Sequence, residues 1–172
     1  MVIPTIGYTL LYIFLTIVDG APSSFTPWLN IPKDIYYSVN RFLLAPGMFL
    51  AWISAAGVIQ LLGHLRGGSG SFEQILATTG LAIGVAMWGA LLHNLPMSAI
   101  GAIDARAHEV AMNSATIWRT LLWTFYALYG VAFFVLFTVG VRVAKQLSWR
   151  MSFVIGSLGF IVFQLVFLIF NR

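Results

Sequence analysis

Apolar stretches over residues 42–65, 74–95, 116–141 and 151–170, with a shorter one over 3–18, take up most of this 172-residue chain. A hydrocarbon core about 30 Å thick is crossed by roughly 20 helical residues. The sequence therefore predicts an all-α, polytopic transmembrane helical bundle of five spans in a single domain, residues 1–172. Charged residues make up 8% of the chain and mean hydropathy is +0.92, far from a soluble composition.

The first run carries Pro4 near its start and sits close to the lower length limit for a span. A signal peptide is the competing reading. It calls for a basic n-region and small residues before the cleavage site. No Lys or Arg precedes the run, and Asp19-Gly20-Ala21 is a poor cleavage site, so a retained helix is expected.

If 3–18 spans, the N-terminus, the 66–73 loop and the 142–150 loop share one side of the membrane. Segments 19–41 and 96–115 and the C-terminus share the other. Arg142, Lys145 and Arg150 crowd into the 142–150 loop with no acid, whereas Asp19, Asp34, Asp104 and Glu109 lie on the opposite side. Cytoplasmic loops are rich in Lys and Arg, which predicts N-in and C-out. The formal charge of +4 is thus an orientation signal, and no long basic run suggests nucleic acid. Without cysteine, disulfides, iron–sulfur clusters and thiol catalysis are excluded.

Two interfacial helices are expected. Before the second span, Asn30 is placed to cap a helix with Pro32 and Asp34 in its first turn. Trp28, Tyr36 and Tyr37 suit the headgroup level there. Pro46 is expected near the start of the span, where it costs least. Before the fourth span, Ile100, Ile103, Ala107 and Val110 recur at helical spacing over 97–115, with Asp104, His108 and Glu109 on another face.

Helices associate in lipid by close packing. Candidate contacts are Gly80 and Gly84 in a GxxxG pair, and Ser152, Gly156 and Gly159 on one face of the last span. In the fourth span Trp123, Tyr126, Gly130, Phe133, Phe137 and Gly140 recur at spacings of three and four. Leu91 is assigned to a lipid face. Gln60, Gln164, Thr78 and Thr79 are read as interhelical glue.

The sharpest local pattern joins spans two and three: His64-Leu65-Arg66-Gly67-Gly68-Ser69-Gly70-Ser71-Phe72-Glu73-Gln74. Gly67, Gly68 and Gly70 permit a tight reversal, Ser71 can cap the next helix, and Phe72 follows. A phosphate cradle would need a lysine that this loop lacks, so a structural turn is expected. His93 and His108 with Asp104 and Glu109 are weak candidates for a metal or proton site, ranked below simple interfacial solvation. No HExxH is present, and no serine–histidine–acid or paired-carboxylate set fits one wet site, so no enzyme activity and no cofactor are expected.

The glycine turn resembles the "GGkgsf" turn of the Yip1-domain family of integral membrane proteins. A second stretch resembles it too: Trp123, then Gly140, Val141 and Arg142, then Leu147, Ser148 and Arg150 before the final span. The likeness covers roughly residues 40–170 and implies a five-helix, N-in fold. Family members often carry a Tyr and a Pro where this chain has Leu81 and Val85. The soluble N-terminal region through which eukaryotic members partly bind small GTPases is missing here, so a fold is implied and not that partner.

The expected function is a non-enzymatic, Yip1-like membrane protein that organises membranes or binds proteins. Its partners would be the lipid bilayer and other membrane proteins or a second copy of the chain. An accessory subunit of a larger membrane complex, for instance an energy-converting assembly, is the alternative. A small transporter or channel ranks third, because ionisable residues gather at the span ends.

Overall fold

The computed structural model describes residues 1–18, 28–103 and 117–171, with the backbone alone for Lys33, Trp118, Leu122 and residues 92–103. Its helices are α1 (Val2–Ile17), a 3-10 turn (Lys33–Ile35), α2 (Tyr36–Leu65), α3 (Phe72–Ile103), α4 (Ile117–Lys145) and α5 (Trp149–Phe170). Four helices, α2 to α5, are long and apolar enough to cross a membrane. The 16 residues of α1 rise about 24 Å, less than the hydrocarbon core.

The helices run antiparallel as α2–α3 and α4–α5 hairpins, closed at a shared end by connectors 66–71 and 146–148. Small residues set how closely they approach. A Cβ at Gly47 would stand 2.7 Å from Phe170, and one at Gly159 would stand 2.6 Å from Ile59, so α5 lies against α2. Gly89 is covered by Tyr129 and Gly140 by Thr78, which pairs α3 with α4. The four helices close because α4 also meets α5 through edge-to-face rings of Phe133, Phe160 and Phe163. Helix α1 lies along α2 and α3, with Gly7 against Leu91 and Met1 beside Gly84.

The core is one cluster: Ala51, Ala55, Ala56 and Ile59 of α2, Ile75 and Ile83 of α3, and Phe137 and Val141 of α4 are almost wholly enclosed. Trp52 adds a polar clasp. Its indole N–H donates to the Leu76 carbonyl and to Thr79 Oγ1, both at 3.1 Å, while its ring edge covers Gly80. A partner for that N–H matters more in hydrocarbon than in water.

Several expectations are corrected. Helix α2 starts at Tyr36, not 42, which puts Pro46 inside the helix. The lost amide removes one rung of the ladder, and neighbouring helices tolerate the break: Phe170 seats against the adjacent Gly47. Asn30 does not cap, because its φ of +49° is left-handed whereas a capping residue is extended. Helix α3 continues through Pro96 to Ile103, so residues 97–103 belong to it. The rest of the expected interfacial helix lies outside the described residues.

Helix α4 runs on to Lys145, which reduces the expected 142–150 loop to residues 146–148. Leu91 is 6% exposed and packs on α1. Gly130 lines no contact among the described residues. It is exposed, and nothing lies within 4 Å of its Cβ position. The face proposed for α4 divides there: Phe133 and Phe137 are buried, whereas Trp123 and Tyr126 are exposed.

Candidate functional site

At the closed end, helix α2 terminates in a Schellman motif. The Gly68 amide bonds to the Gly63 carbonyl at 2.9 Å, the Gly67 amide bonds to the His64 carbonyl at 3.0 Å, and Gly67 takes φ +73°. The Ser69 amide reaches across to the Lys145 carbonyl at 3.1 Å. The Ser71 amide donates to Gln74 Oε1 at 3.0 Å, and the Gln74 amide approaches Ser71 Oγ at 3.4 Å, forming a capping box that starts α3. Gly70, at φ +87°, leaves no room for a side chain: its Cβ position collides with the Ala144 carbonyl oxygen.

Helix α4 ends beside this turn. Gln146 adopts φ +54°, its amide bonds to the Arg142 carbonyl, and Arg142 donates to the Leu147 carbonyl at 3.0 Å. The guanidinium also lies 4.3 Å from the centre of the Trp149 ring. Ser148 caps α5 by accepting from the Met151 amide.

Lys145 lies within this arrangement with no exposed surface. Its methylenes cover Gly63 within 3.0 Å of the Cβ position, and its Nζ donates to the Gly70 carbonyl at 3.0 Å. A loop amide that binds phosphate must be free. The amides of residues 66–69 and 71 are bonded within the protein, and Lys145 is directed to a carbonyl. Chemically, the arrangement fastens two connectors together.

The opposite end holds a buried polar cluster. Tyr8, Tyr12, Tyr36 and Tyr37 meet edge to face at 5.1–6.3 Å, and Tyr12 is hydrogen-bonded to Tyr36. Asn40 Nδ2 donates to Tyr36 Oη at 2.7 Å and to Asn171 Oδ1 at 3.2 Å, and both asparagines are fully enclosed. The chain just before the 3-10 turn joins the cluster through Trp28 and Leu29 amides bonded to the Leu168 and Ile169 carbonyls. These phenols and amides hold α1, α2 and the end of α5 in register.

The other singled-out residues are dispersed. Gly67, Gly68 and Gly70 form the closed-end turn, and Phe72 opens α3, half-buried against the core. Gly80 carries the Trp52 ring, and Gly84 lies beside Met1. Ser152 is buried, its hydroxyl without a partner among the described residues, Gly156 meets Thr138, and Gly159 meets Ile59. Thr79 bonds back to the Ile75 carbonyl at 2.6 Å, and Gln60 Oε1 is buried without a partner among the described residues. Asp104, His108 and Glu109 lie outside the described residues, as does the side chain of His93.

Sequence reasoning missed Lys145, Asn40 and Asn171 as interior groups. Two of them carried a signal: Asn40 falls on the four-residue spacing Tyr36, Asn40, Leu44, Met48, and Lys145 on Phe137, Val141, Lys145. No protein-family model, no curated protein and no solved structure matches the chain.

Proposed function

We propose that this chain is a non-enzymatic, multi-pass membrane protein that organises membranes or binds other membrane proteins. The observation that carries the reading is the uncovered first half of α4. Trp123, Phe125, Leu128 and Val131 are 48–62% exposed. An apolar surface of this kind meets lipid or another helix in a membrane. The same face also suits an accessory subunit, the second reading, with a larger complex as its partner.

In this proposal the short helix α1 is the fifth membrane segment. The 3-10 turn at Lys33–Ile35 supports an interfacial entry to α2. In the proposal the closed end faces the cytoplasm, with Arg66, Arg142 and Arg150 near it, and the C-terminus lies outside; the N-terminus points toward the cytoplasmic side, with Met1 beside Gly84 about 18 Å along α3 from the closed end. The Yip1-domain relation belongs to the proposal on the strength of the two connectors at that end.

Chemical cross-linking in native membranes, followed by purification in mild detergent and mass measurement, tests the reading. A photo-reactive residue at Phe125 or Leu128 should give discrete protein adducts, and one at Ile161 of α5 far fewer. Lipid adducts alone from the α4 positions would overturn protein binding.

A further inference from the structure

We propose that the crevice between α1 and α2 holds one acyl chain of an anionic phospholipid, with the lipid phosphate on Arg41. Two adjoining hollows make up the crevice. The deeper, about 190 Å³, is lined by Ile6, Thr9, Leu10, Ala45 and Phe49 among others. The outer, about 350 Å³, is lined by Thr9, Ile13, Arg41 and Phe42, so the two meet at Thr9.

The deeper wall is apolar even where threonines line it. Thr5 Oγ1 donates to the Met1 carbonyl at 3.0 Å and Thr9 Oγ1 donates to the Thr5 carbonyl at 2.9 Å. Their hydroxyls are consumed by α1 itself, a bond that side chains of this kind commonly make to the preceding turn. An alkyl chain suits such a wall; a polar solute does not.

At the mouth, the Arg41 guanidinium rests 4.8 Å from the centre of the Phe42 ring. Among the described residues Nε has no hydrogen-bond partner and Arg41 forms no ion pair; Nε itself is enclosed, while the half-buried side chain lines the outer hollow. A guanidinium left without an anion at that rim suits a phosphate oxygen, the acceptor Arg favours, received at its Nη groups.

Depth agrees with this pairing. From Leu65 at the closed end, α2 rises about 24 Å to Phe49 and about 36 Å to Arg41. With the hydrocarbon core about 30 Å thick and the headgroup layers extending beyond it, Phe49 lies among acyl chains and Arg41 at the phosphates. The crevice thus has a hydrocarbon interior and a cationic rim at the levels where one lipid presents the complementary groups. Ordinary annular lipid would show no such charge preference.

The test uses the full chain, purified in mild detergent, delipidated and offered equal amounts of phosphatidylglycerol and phosphatidylcholine with the same acyl chains, read by native mass spectrometry. The wild type should retain one phosphatidylglycerol in preference by on the order of tenfold, the size of one charge-assisted contact. Arg41→Gln should abolish the preference, while Arg150→Gln at the other end should keep it. Ala45→Phe should fill the deeper hollow and lower retention of both lipids. Thr9→Phe serves the same purpose if Ala45→Phe does not give a cooperative unfolding transition. Excess inorganic phosphate should leave the bound lipid in place. Equal retention of both lipids by the wild type, an unchanged preference in Arg41→Gln, or displacement by phosphate alone would each overturn the proposal.

Discussion

Lys145 Nζ donates to the Gly70 carbonyl oxygen at 3.0 Å, joining two residues 75 positions apart. The bond sits where the turn between α2 and α3 crosses the last turn of α4. It turns a cation that would ordinarily face water or headgroups into a part of the packing, with its stem lying over Gly63.

Lys145→Met should keep the stem and lose the ammonium. The Gly70 carbonyl then loses its donor, and stability should fall by about 1–3 kcal/mol. Lys145→Ala should cost more, because the stem over Gly63 goes as well. Unfolding of both variants in mixed micelles, followed by helical circular dichroism, checks the order. Equal losses would mean that the methylene packing contributes nothing.

The two positive-φ glycines of the turn should respond differently to substitution. Gly67 faces open space, so Gly67→Ala should cost about 1–2 kcal/mol for the left-handed conformation alone. Gly70→Ala adds a collision with the Ala144 carbonyl and should reduce folded yield outright. Detergent-soluble, monodisperse yield measures this. A Gly70→Ala protein as stable as Gly67→Ala would sink the close approach.

Trp52→Phe removes the N–H that bonds Leu76 and Thr79 and also the Cζ2–Cε2 edge of the indole that covers Gly80. A loss of about 1–3 kcal/mol is expected, from the bond and the vacated contact together. Gly80→Leu should be far worse, since the ring edge is 2.8 Å from the Cβ position. Leu81→Ala, at a residue 71% exposed, should fall within about 0.5 kcal/mol of wild type. Thermal midpoints in one detergent rank the three.

Much of the helix content was legible because long apolar runs in a short chain leave little else. Helix ends were less so. An apolar run stops at the first polar residue, whereas the α2 and α4 helices continue through Asn40, Arg41, Arg142 and Lys145. Prolines misled at two places: helix interrupters in a lone segment, Pro46 and Pro96 are both absorbed within longer helices. Small-residue spacing marked Gly80, Gly156 and Gly159, yet the same signal at Gly130 faces outward. A pattern on one helix does not say which side its neighbour occupies. Lys145 and Asn40 were hidden by their type, since charge and amide groups are expected outside until a partner 75 or 131 positions away is known.

Orientation can be tested with single thiols because the chain has no native cysteine. Ser69 and Asp34 are both exposed at opposite ends. Ser69→Cys should react with an impermeant maleimide only after the cytoplasmic face is opened, and Asp34→Cys should react from outside. Labelling of both from one side would overturn the proposed topology; the reversed pattern would overturn N-in.

The α2–α3 and α4–α5 connectors are short and bonded to each other at one end through Ser69 and Lys145. Mechanically, that end is a pivot. The 30 residues of α2 form an arm of about 45 Å. A relative tilt of about 5° between the two hairpins would displace the far tips by about 4 Å over that arm. The distal bond between Asn40 and Asn171 lies where such leverage is greatest, so it opposes that tilt with the longest lever arm of any contact between the hairpins described above.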